Sequence, residues 1–323
     1  MKILFYGFRH DHIIGLYKKA IENERVEVVA CIEEHDETRK VLSETQGIVF
    51  NTEKTYEEWL LEDVDIVAFG GTYGDRGEAA VKALKAGKHL ILDKPICIKK
   101  SELRKIKKLS RERGLKVACM FDLRYMPVAR LAKSIMESGE LGEVRNVSYT
   151  GQHFLNYGKR PSWYFEKGKH GGTLNDLAIH GVDLIRFITG LEYEKVNSAR
   201  VWNAFADKEP EFKDCGIYMA QLMNGAGVLC DVSYSAPVQV YGTDTYWNFK
   251  FWCDKGMMTF NFNSTALTIY DMGADKPRII EAVDDGKNYL DDLIDDIVND
   301  CMKSTESVFK SSDTVLNIQA KAK

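Results

Sequence analysis

The sequence predicts an α/β fold in two parts: a parallel sheet wound with helices, then an α+β half built on a large, mostly antiparallel sheet. Two observations carry this. Over the first ~120 residues, short apolar runs alternate with helix-favouring stretches, the pattern of βαβ units whose sheet is covered on both faces. After that, strand-like runs follow one another at short spacing, with turn dipeptides such as Asn224-Gly225 and Lys255-Gly256 between several of them. The 323 residues are enough for two ordinary domains with separate cores.

Taken in order, Lys2–Tyr6 reads as a buried strand and Ile14–Ile21 as a helix. Val26–Ile32 is a second apolar run rich in β-branched residues, followed by the polar, helix-favouring Glu37–Ser43. Further strands are expected over Val64–Phe69, Lys88–Leu92 and Lys116–Met120. Helices lie between them at Arg76–Ala86 and Ser101–Arg113, stopped by Gly87 and Gly114. The boundary is placed near Asp122, giving domains 1–122 and 123–323. In the second domain, helices are expected over Val128–Ser138 and Asn175–Thr189. Strands follow at Val196–Phe205, Gly216–Met223, Gly227–Ser235, Trp247–Cys253, Met257–Phe262 and Ala266–Tyr270, with a last helix over Tyr289–Met302.

The composition narrows the function classes. A net charge of −4 with no basic block points away from nucleic acid and anionic membranes as partners. Lys321 and Lys323 read as a solvated tail. Met1–Tyr6 lacks the length and the small-residue cleavage site of a signal peptide, and no apolar run approaches ~18 residues. The seven cysteines are scattered without a C-x-x-C pair, and Cys31, Cys97, Cys119 and Cys230 stand in apolar runs as buried thiols. Neither a disulfide framework nor a metal site is expected, and the setting is read as reducing and cytoplasmic.

A strand that ends in glycine and opens a helix is the usual site for a dinucleotide pyrophosphate, because the helix start offers unpaired N–H groups. Here the strand is Lys2–Tyr6 and the glycine Gly7. The later glycines of G-x-G-x-x-G are replaced by Arg9 and His12, so the loop alone is a weak signal; a plain βα turn with Asp11 as N-cap explains it equally. Glu33 ends the second strand, where an acidic residue accepts the ribose hydroxyls of NAD. A 2′-phosphate would meet Glu33 and Glu34, with no Lys or Arg beside them, so NAD is expected over NADP. A solvent-facing strand end is the plain alternative.

Leu92-Asp93-Lys94-Pro95 stands at the carboxyl end of a parallel strand, where open α/β sheets bind ligands. Pro95 pushes Lys94 out of helical geometry, and a Lys near a cationic nicotinamide has its charged form disfavoured; a surface Lys in a loop is the alternative. Farther on, Asp176, His180 and Asp183 are spaced i, i+4 and i+7, one face of a helix whose other face carries Leu177, Leu184 and Ile185. A carboxylate next to an imidazole fixes its tautomer and raises its basicity, as a general base needs. Helix-surface charges with a satisfied His give the same spacing.

These stretches together resemble the glucose-fructose oxidoreductase / inositol dehydrogenase family, often called Gfo/Idh/MocA. The resemblance runs over nearly the whole chain. It includes Glu33, Ala79–His89, Asp93-Lys94-Pro95, Leu123–Pro127, Gly139–Val144, Trp163 and Gly171–Asp183. It implies a Rossmann domain followed by an α+β domain, and hydride transfer between NAD and a hydroxyl-bearing carbon of a sugar, cyclitol or related polyol. Lys94, Asp176 and His180 are then catalytic, and Lys94, Trp163, Asp176 and His180 bind substrate. The cofactor is expected at Gly7, Phe8, Arg9, His10, His12, Glu33, Thr72, Asp93, Lys94 and Arg124. The resemblance further implies a cis Lys94–Pro95 bond and homodimers or homotetramers built through the C-terminal sheet. The chain departs from the pattern at Asp93, usually Glu, and at Gly77, often His. His10 and His12 serve the cofactor or active site, or are loop residues. The sequence leaves open whether His180 or Lys94 is the base. An NAD-dependent glycosidase-like redox cycle and a non-catalytic NAD- or sugar-binding sensor are the alternative functions. Phe154, Tyr157, Trp163 and Tyr164 either stack on a sugar face or pack the domain junction.

Overall fold

A computed structural model describes residues 1–322 of the chain. The chain forms two compact units. The first comprises Met1–Met120, Gly168–Gly171 and Asn288–Ser312; the second comprises Phe121–Lys167, Gly172–Lys287 and Asp313–Lys323. The break after Met120 lies close to the expected one. The expected second domain, 123–323, gives up two segments to the first unit, and side-chain bonds described below show why.

The first unit runs β1 (Lys2–Tyr6), α1 (His12–Glu22), β2 (Glu27–Ile32), α2 (Asp36–Gln46), α3 (Tyr56–Trp59), β3 (Ile66–Phe69), α4 (Tyr73–Lys85), β4 (His89–Leu92), α5 (Lys100–Arg113) and β5 (Val117–Cys119). Its five strands are parallel, in the order β2-β1-β3-β4-β5. Strands β3 and β5 are buried at every position, as a sheet covered on both faces requires. The order reverses between β1 and β3, which places a crevice at the carboxyl ends of those two strands. Gly47 and Gly114 end α2 and α5 in left-handed conformation, with φ of 67° and 65°.

The second unit runs α6 (Pro127–Ser138), β6 (Val144–Gln152), a π-helical turn (Leu174–Ala178), α7 (Ile179–Thr189) and then β7 (Tyr193–Trp202), β8 (Cys215–Leu222), β9 (Gly227–Ser233), β10 (Asn248–Cys253), β11 (Gly256–Asn261), β12 (Ala266–Asp271) and β13 (Arg278–Glu281). The sheet order is β13-β12-β11-β10-β6-β9-β8-β7, antiparallel except for β6 beside β9. One face buries Val147, Tyr149, Phe249, Phe251, Met258, Phe260, Leu267 and Ile269. The other face shows Ile217, Met219, Leu229, Trp252 and Tyr270, each 39–49% exposed. Ser148 pairs with Leu229 and Leu229 with Met219, so these exposed residues form rows across the strands. A hollow of about 370 Å³ on this face is lined by residues including Ser148, Ile217, Met219, Leu229 and Asp231; none of the expected site residues lines it.

Two closing helices, α8 (Tyr289–Val298) and α9 (Lys303–Lys321), complete the chain. The first part of α9 is bonded into the first unit: Thr305 Oγ1 accepts from the N–H of Val117 at 2.9 Å, and Asp300 binds the buried Lys116 ammonium at 2.6 Å. The expected last helix over Tyr289–Met302 ends earlier, at Val298, and Asp300 takes a φ of 47°. The 19-residue α9 and the strand β6 are absent from the expectation. In α9 the apolar stripe of Val308, Phe309, Val315 and Leu316 is interrupted by buried Ser311 and Ser312, which hides its period. Lys321 is exposed, as expected, but ends α9, with Nζ 2.5 Å from the Val196 carbonyl. Lys323 lies outside the described residues.

Candidate active site

At the crevice, two turns approach backbone to backbone. Gly7 follows β1 at φ 75°; a Cβ there would stand 2.8 Å from the Gly71 nitrogen. Gly70 is pressed on the Ile13 side chain, 2.4 Å from where its Cβ would be. Only glycine permits this approach, which brings the turns after β1 and β3 together at the start of α1. Asp11 stands at the N-cap of α1 without a side-chain cap bond, so the expected polar N-cap is not made. Glu33, buried at the end of β2, accepts N–H bonds from Phe8 and, at 2.8 Å, from His35. Each carboxylate oxygen holds one N–H and keeps acceptor capacity for a ribose hydroxyl. The glycine cradle at the switch point and this carboxylate fit a dinucleotide. One expectation is corrected: an arginine does stand beside the two acids, since Arg39 Nη1 lies 2.6 Å from the Glu33 carbonyl and its Nη2 pairs with Asp36. Helix α2 brings it back within its first turn. Glu34 accepts from the Tyr6 hydroxyl at 2.8 Å.

The Asp93-Lys94-Pro95 stretch is held from beneath by Arg76, which is 0% exposed. Its Nη2 lies 2.8 Å from Asp93 Oδ2, its Nε 3.0 Å from the Gly71 carbonyl and its Nη1 3.2 Å from the Pro95 carbonyl; Nη1 also binds the Lys94 carbonyl. The Lys94–Pro95 bond is cis, as the resemblance implies. The same carboxylate carries both loop histidines: His10 Nδ1 bonds Oδ2, the oxygen Arg76 also holds, and His12 Nδ1 lies 3.2 Å from Oδ1. Tyr73, buried in the first turn of α4, stacks near the group: its ring centre lies 4.4 Å from Arg76 Cζ, 5.8 Å from Lys94 Nζ and 5.3 Å from the His10 ring. Thr72, the N-cap of α4, donates to Asp75, which pairs with Lys169 at 2.8 Å and so fastens Gly168–Gly171 to this unit. The donor atoms of His10, His12 and Asp93 lie within 4.8 Å of one another, close enough to ligate a metal. Arg76 already brings a positive charge to that carboxylate, so the set reads as a hydrogen-bonded network. Burial would raise the Asp93 carboxyl, but Arg76, His10 and His12 together hold it well below the usual carboxylate range. Burial pushes the His10 imidazole down to about 3 against the pull of Asp93.

In the second unit, Asp176 stands on the π-helical turn and His180 in the first turn of α7. The expected uniform helix from Asn175 is therefore corrected: one wider turn precedes the α-helical part, a feature frequent at functional sites. Helix α7 is buried all round, so there is no single core face of Leu177, Leu184 and Ile185. Asp176 accepts a bond from the Tyr234 hydroxyl, whose pKa is raised by burial and then by that carboxylate. Gln319 of α9 steadies the same turn by accepting from the Asn175 N–H at 3.1 Å. Asp183 forms a two-pronged ion pair with Arg124. That engages the guanidinium expected at the cofactor. Trp163, 1% exposed, packs its ring 4.2 Å from that of Tyr164. Trp247, buried just before β10, places its ring 5.4 Å from His180 at 87°. Its backbone φ is 50°, a conformation that costs a bulky residue on the order of 1–3 kcal/mol.

Of the expected residues, the structure gathers His10, His12, Asp93 and Lys94 in the first unit, with Gly7, Phe8 and Glu33 at the neighbouring turn. Asp176 and His180 share one segment of the second unit. Arg76, Tyr73, Tyr234 and Trp247 were not singled out from the sequence. Arg76 and Tyr73 had a signal in their place on the first turn after β3, at a sheet's carboxyl edge; Tyr234 and Trp247 had none.

The fold and the crevice define a class, a dinucleotide-binding parallel-sheet unit joined to an α+β unit with a broad sheet. Residues 8–121 match the family model described as oxidoreductase family, NAD-binding Rossmann fold, and residues 129–259 match the GFO/IDH/MocA C-terminal domain. The chain belongs to the Gfo/Idh/MocA oxidoreductase family. A levoglucosan dehydrogenase from Pseudarthrobacter phenanthrenivorans is 29% identical over 158 residues, which cover 46% of this chain and 40% of that relative. The match thus spans well under half of the relative's length. Among solved structures, an oxidoreductase from Erwinia carotovora atroseptica superposes with a TM-score of 0.89 at 21% identity, covering 100% of this chain and 99% of the other. A levoglucosan dehydrogenase in complex with NADH gives 0.81 at 19% identity, covering 99% and 97%. Among the described residues, no helix is long and apolar enough to cross a membrane.

The network around Asp93 sets a pH dependence of stability. Unfolded, the His10 imidazole protonates near its ordinary 6.5; folded, near 3. Between these values the unfolded chain binds more protons, so stability falls as pH falls, by up to about 1.4 kcal/mol per pH unit. Thermal melting from about pH 7 to about pH 4 should show this decline, and His10→Gln, which keeps a donor for Asp93 without titrating, should flatten it. Equal slopes in the two proteins would rule out His10 as its source.

Proposed function

We propose that the chain is an NAD-dependent dehydrogenase acting on a hydroxyl-bearing carbon of a sugar, cyclitol or related polyol. The observation that carries this is the buried Arg76 clamp, which fixes Asp93 and the backbone of Lys94 and Pro95 at the carboxyl edge of the parallel sheet. A lysine so rigidly presented beside a dinucleotide crevice suits a group that hydrogen-bonds a reacting oxygen. The relative named levoglucosan dehydrogenase supports a sugar-like alcohol. When bound, NAD supplies the hydride acceptor. Gly7 and the Phe8 backbone leave room for its phosphates, Glu33 accepts its ribose hydroxyls, and Thr72, Arg9, His10 and His12 border it.

In this reading Lys94 donates to the substrate oxygen, and His180 takes the hydroxyl proton on its imidazole. Asp176, held by Tyr234, orients the segment that carries His180. Arg124 supports that segment through Asp183. Trp163 is the packing partner of Tyr164 behind the substrate side. The glycine-poor loop is the one feature behind a non-catalytic sensor, and its histidines are built into the Asp93 network. The seven cysteines, all free thiols, support a reducing, cytoplasmic setting. The exposed rows around Met219 and Leu229 support a homodimer or homotetramer formed on that sheet face.

Cofactor choice follows from the charge at β2. NAD should bind at least about tenfold more tightly than NADP, as a 2′-phosphate must approach the Glu33 carboxylate. Fluorescence titration with both reads this directly, and equal or better NADP affinity, with Arg39 as its source, would remove the Glu33 assignment.

For catalysis, a screen of polyols and sugars by thermal shift with NAD present supplies the substrate. His180→Ala should then lower turnover by about two to four orders of magnitude with NAD affinity unchanged. Asp176→Asn should do less, and Lys94→Ala should reduce both turnover and substrate affinity. Near-normal turnover of His180→Ala would transfer the base role to Lys94 or water.

Light scattering at micromolar concentration should give a dimer or tetramer, and Met219→Lys with Leu229→Lys should shift it toward monomer. A strictly monomeric mass of the unaltered protein would exclude assembly through the sheet.

A further inference from the structure

We infer that Trp247 is a positioning residue for His180: its indole, wedged against the β6 backbone, fixes the imidazole edge to face. The functional weight of this rests on the dehydrogenase reading, in which His180 holds the proton; the contact itself belongs to the second unit alone.

Three observations bear on it. The first is backbone conformation. Among the described residues other than glycine, only Asn156, Trp247 and Asp300 have positive φ. Short polar side chains tolerate that conformation and a bulky aromatic does not. A glycine or asparagine would turn the chain there without strain, so the turn alone does not explain an indole. The backbone is kept in place by the Phe262 N–H, which donates to the Trp247 carbonyl at 3.0 Å.

The second is the space prepared for the ring. Gly151 of β6 faces it, and a Cβ at that position would lie 3.0–3.1 Å from three indole carbons. Any side chain larger than glycine there pushes the indole away. The residue after His180, Gly181, does the same for a neighbour: its missing Cβ admits the Tyr149 ring, 2.2 Å from where that atom would be. Two glycines thus let α7 and the segment before β10 settle on β6, and the His180 and Trp247 rings meet between them.

The third is the contact. The rings lie 5.4 Å apart at 87°, the edge-to-face arrangement that aromatic pairs prefer. Tyr246, 6.4 Å from the indole, is itself packed on Phe262 and Tyr241. The indole therefore has a firm wall behind it, and rotation of the imidazole about its χ angles meets that wall. Misplacing a catalytic group by about 1 Å is enough to cost about a hundredfold in rate.

The test has an arm that needs no substrate. In spectra of isotope-labelled histidine, Trp247→Phe should move the His180 signals, assigned with His180→Asn, more than those of the other histidines. His180 signals unmoved by Trp247→Phe overturn the inference. With a substrate in hand, Trp247→Ala should lower turnover about ten- to hundredfold with NAD affinity unchanged, and Trp247→Phe should recover most of it. Circular dichroism checks that the alanine variant folds; if it does not, Trp247→Phe and Trp247→Leu carry the kinetic comparison, and equal turnover in those two overturns the positioning role. Spectral changes as expected with no turnover of any polyol or sugar would uphold the contact and refute the dehydrogenase reading.

Discussion

The buried ion pair between Arg76 and Asp93 is the constraint on which the first unit's functional edge depends. Both side chains are fully buried, and their attraction works against a large desolvation penalty with the help of further bonds, Arg76 to three carbonyls and Asp93 Oδ2 to His10. Arg76 reaches the carbonyls of Gly71, Lys94 and Pro95 as well as the carboxylate. One guanidinium therefore ties the turn after β3 to the turn after β4, and Lys94 inherits its place from that tie. Removal of either partner would leave a buried charge uncompensated, a loss of about 3–5 kcal/mol for pairs of this kind. The pair makes weak sense as a stabilising device and good sense as a way to fix one arrangement of the two turns.

The same carboxylate explains the glycine-poor loop. A dinucleotide loop with three glycines relies on bare backbone near the phosphates. Here one glycine, Gly7, still makes the close approach to Gly71, and the loop beyond it is anchored by imidazoles on Asp93. Burial keeps His10 neutral, so the network carries no surplus cation.

The second unit solves a different problem. Helix α7 carries polar groups, His180 and Asp183, into a segment buried on every side, where each needs a partner. Arg124 meets Asp183, Tyr234 meets Asp176, and the indole of Trp247 closes on His180. These partners come from the turn before α6, the segment after β9 and the segment before β10. The broad sheet acts as a frame that brings distant parts of the chain to one helix, at the expense of leaving its other face rich in exposed apolar side chains.

The strands of the first unit, the helices between them and the succession of strands after residue 190 were legible because period and turn chemistry are local properties. Glu33, Lys94, Asp176 and His180 stood out as candidates because their spacing from strand ends and from one another is written in the chain, and the family resemblance rests on the same stretches; their roles are part of the proposed function. Strand β6 was missed because its buried positions Val144, Val147 and Tyr149 change parity at the register shift opposite Trp252 and Cys253, and the next buried position, Gly151, is not apolar. Helix α9 was missed because buried serines blur its apolar stripe. The sequence by itself determined the order of elements and the types of chemical group present. Tertiary structure alone decided which groups share a partner: that Arg76 and two histidines converge on Asp93, that Arg124 belongs to Asp183, and that Trp247 stands on His180. Such pairings join residues 17 to 83 positions apart, and no local propensity encodes a contact that exists only once each unit has folded.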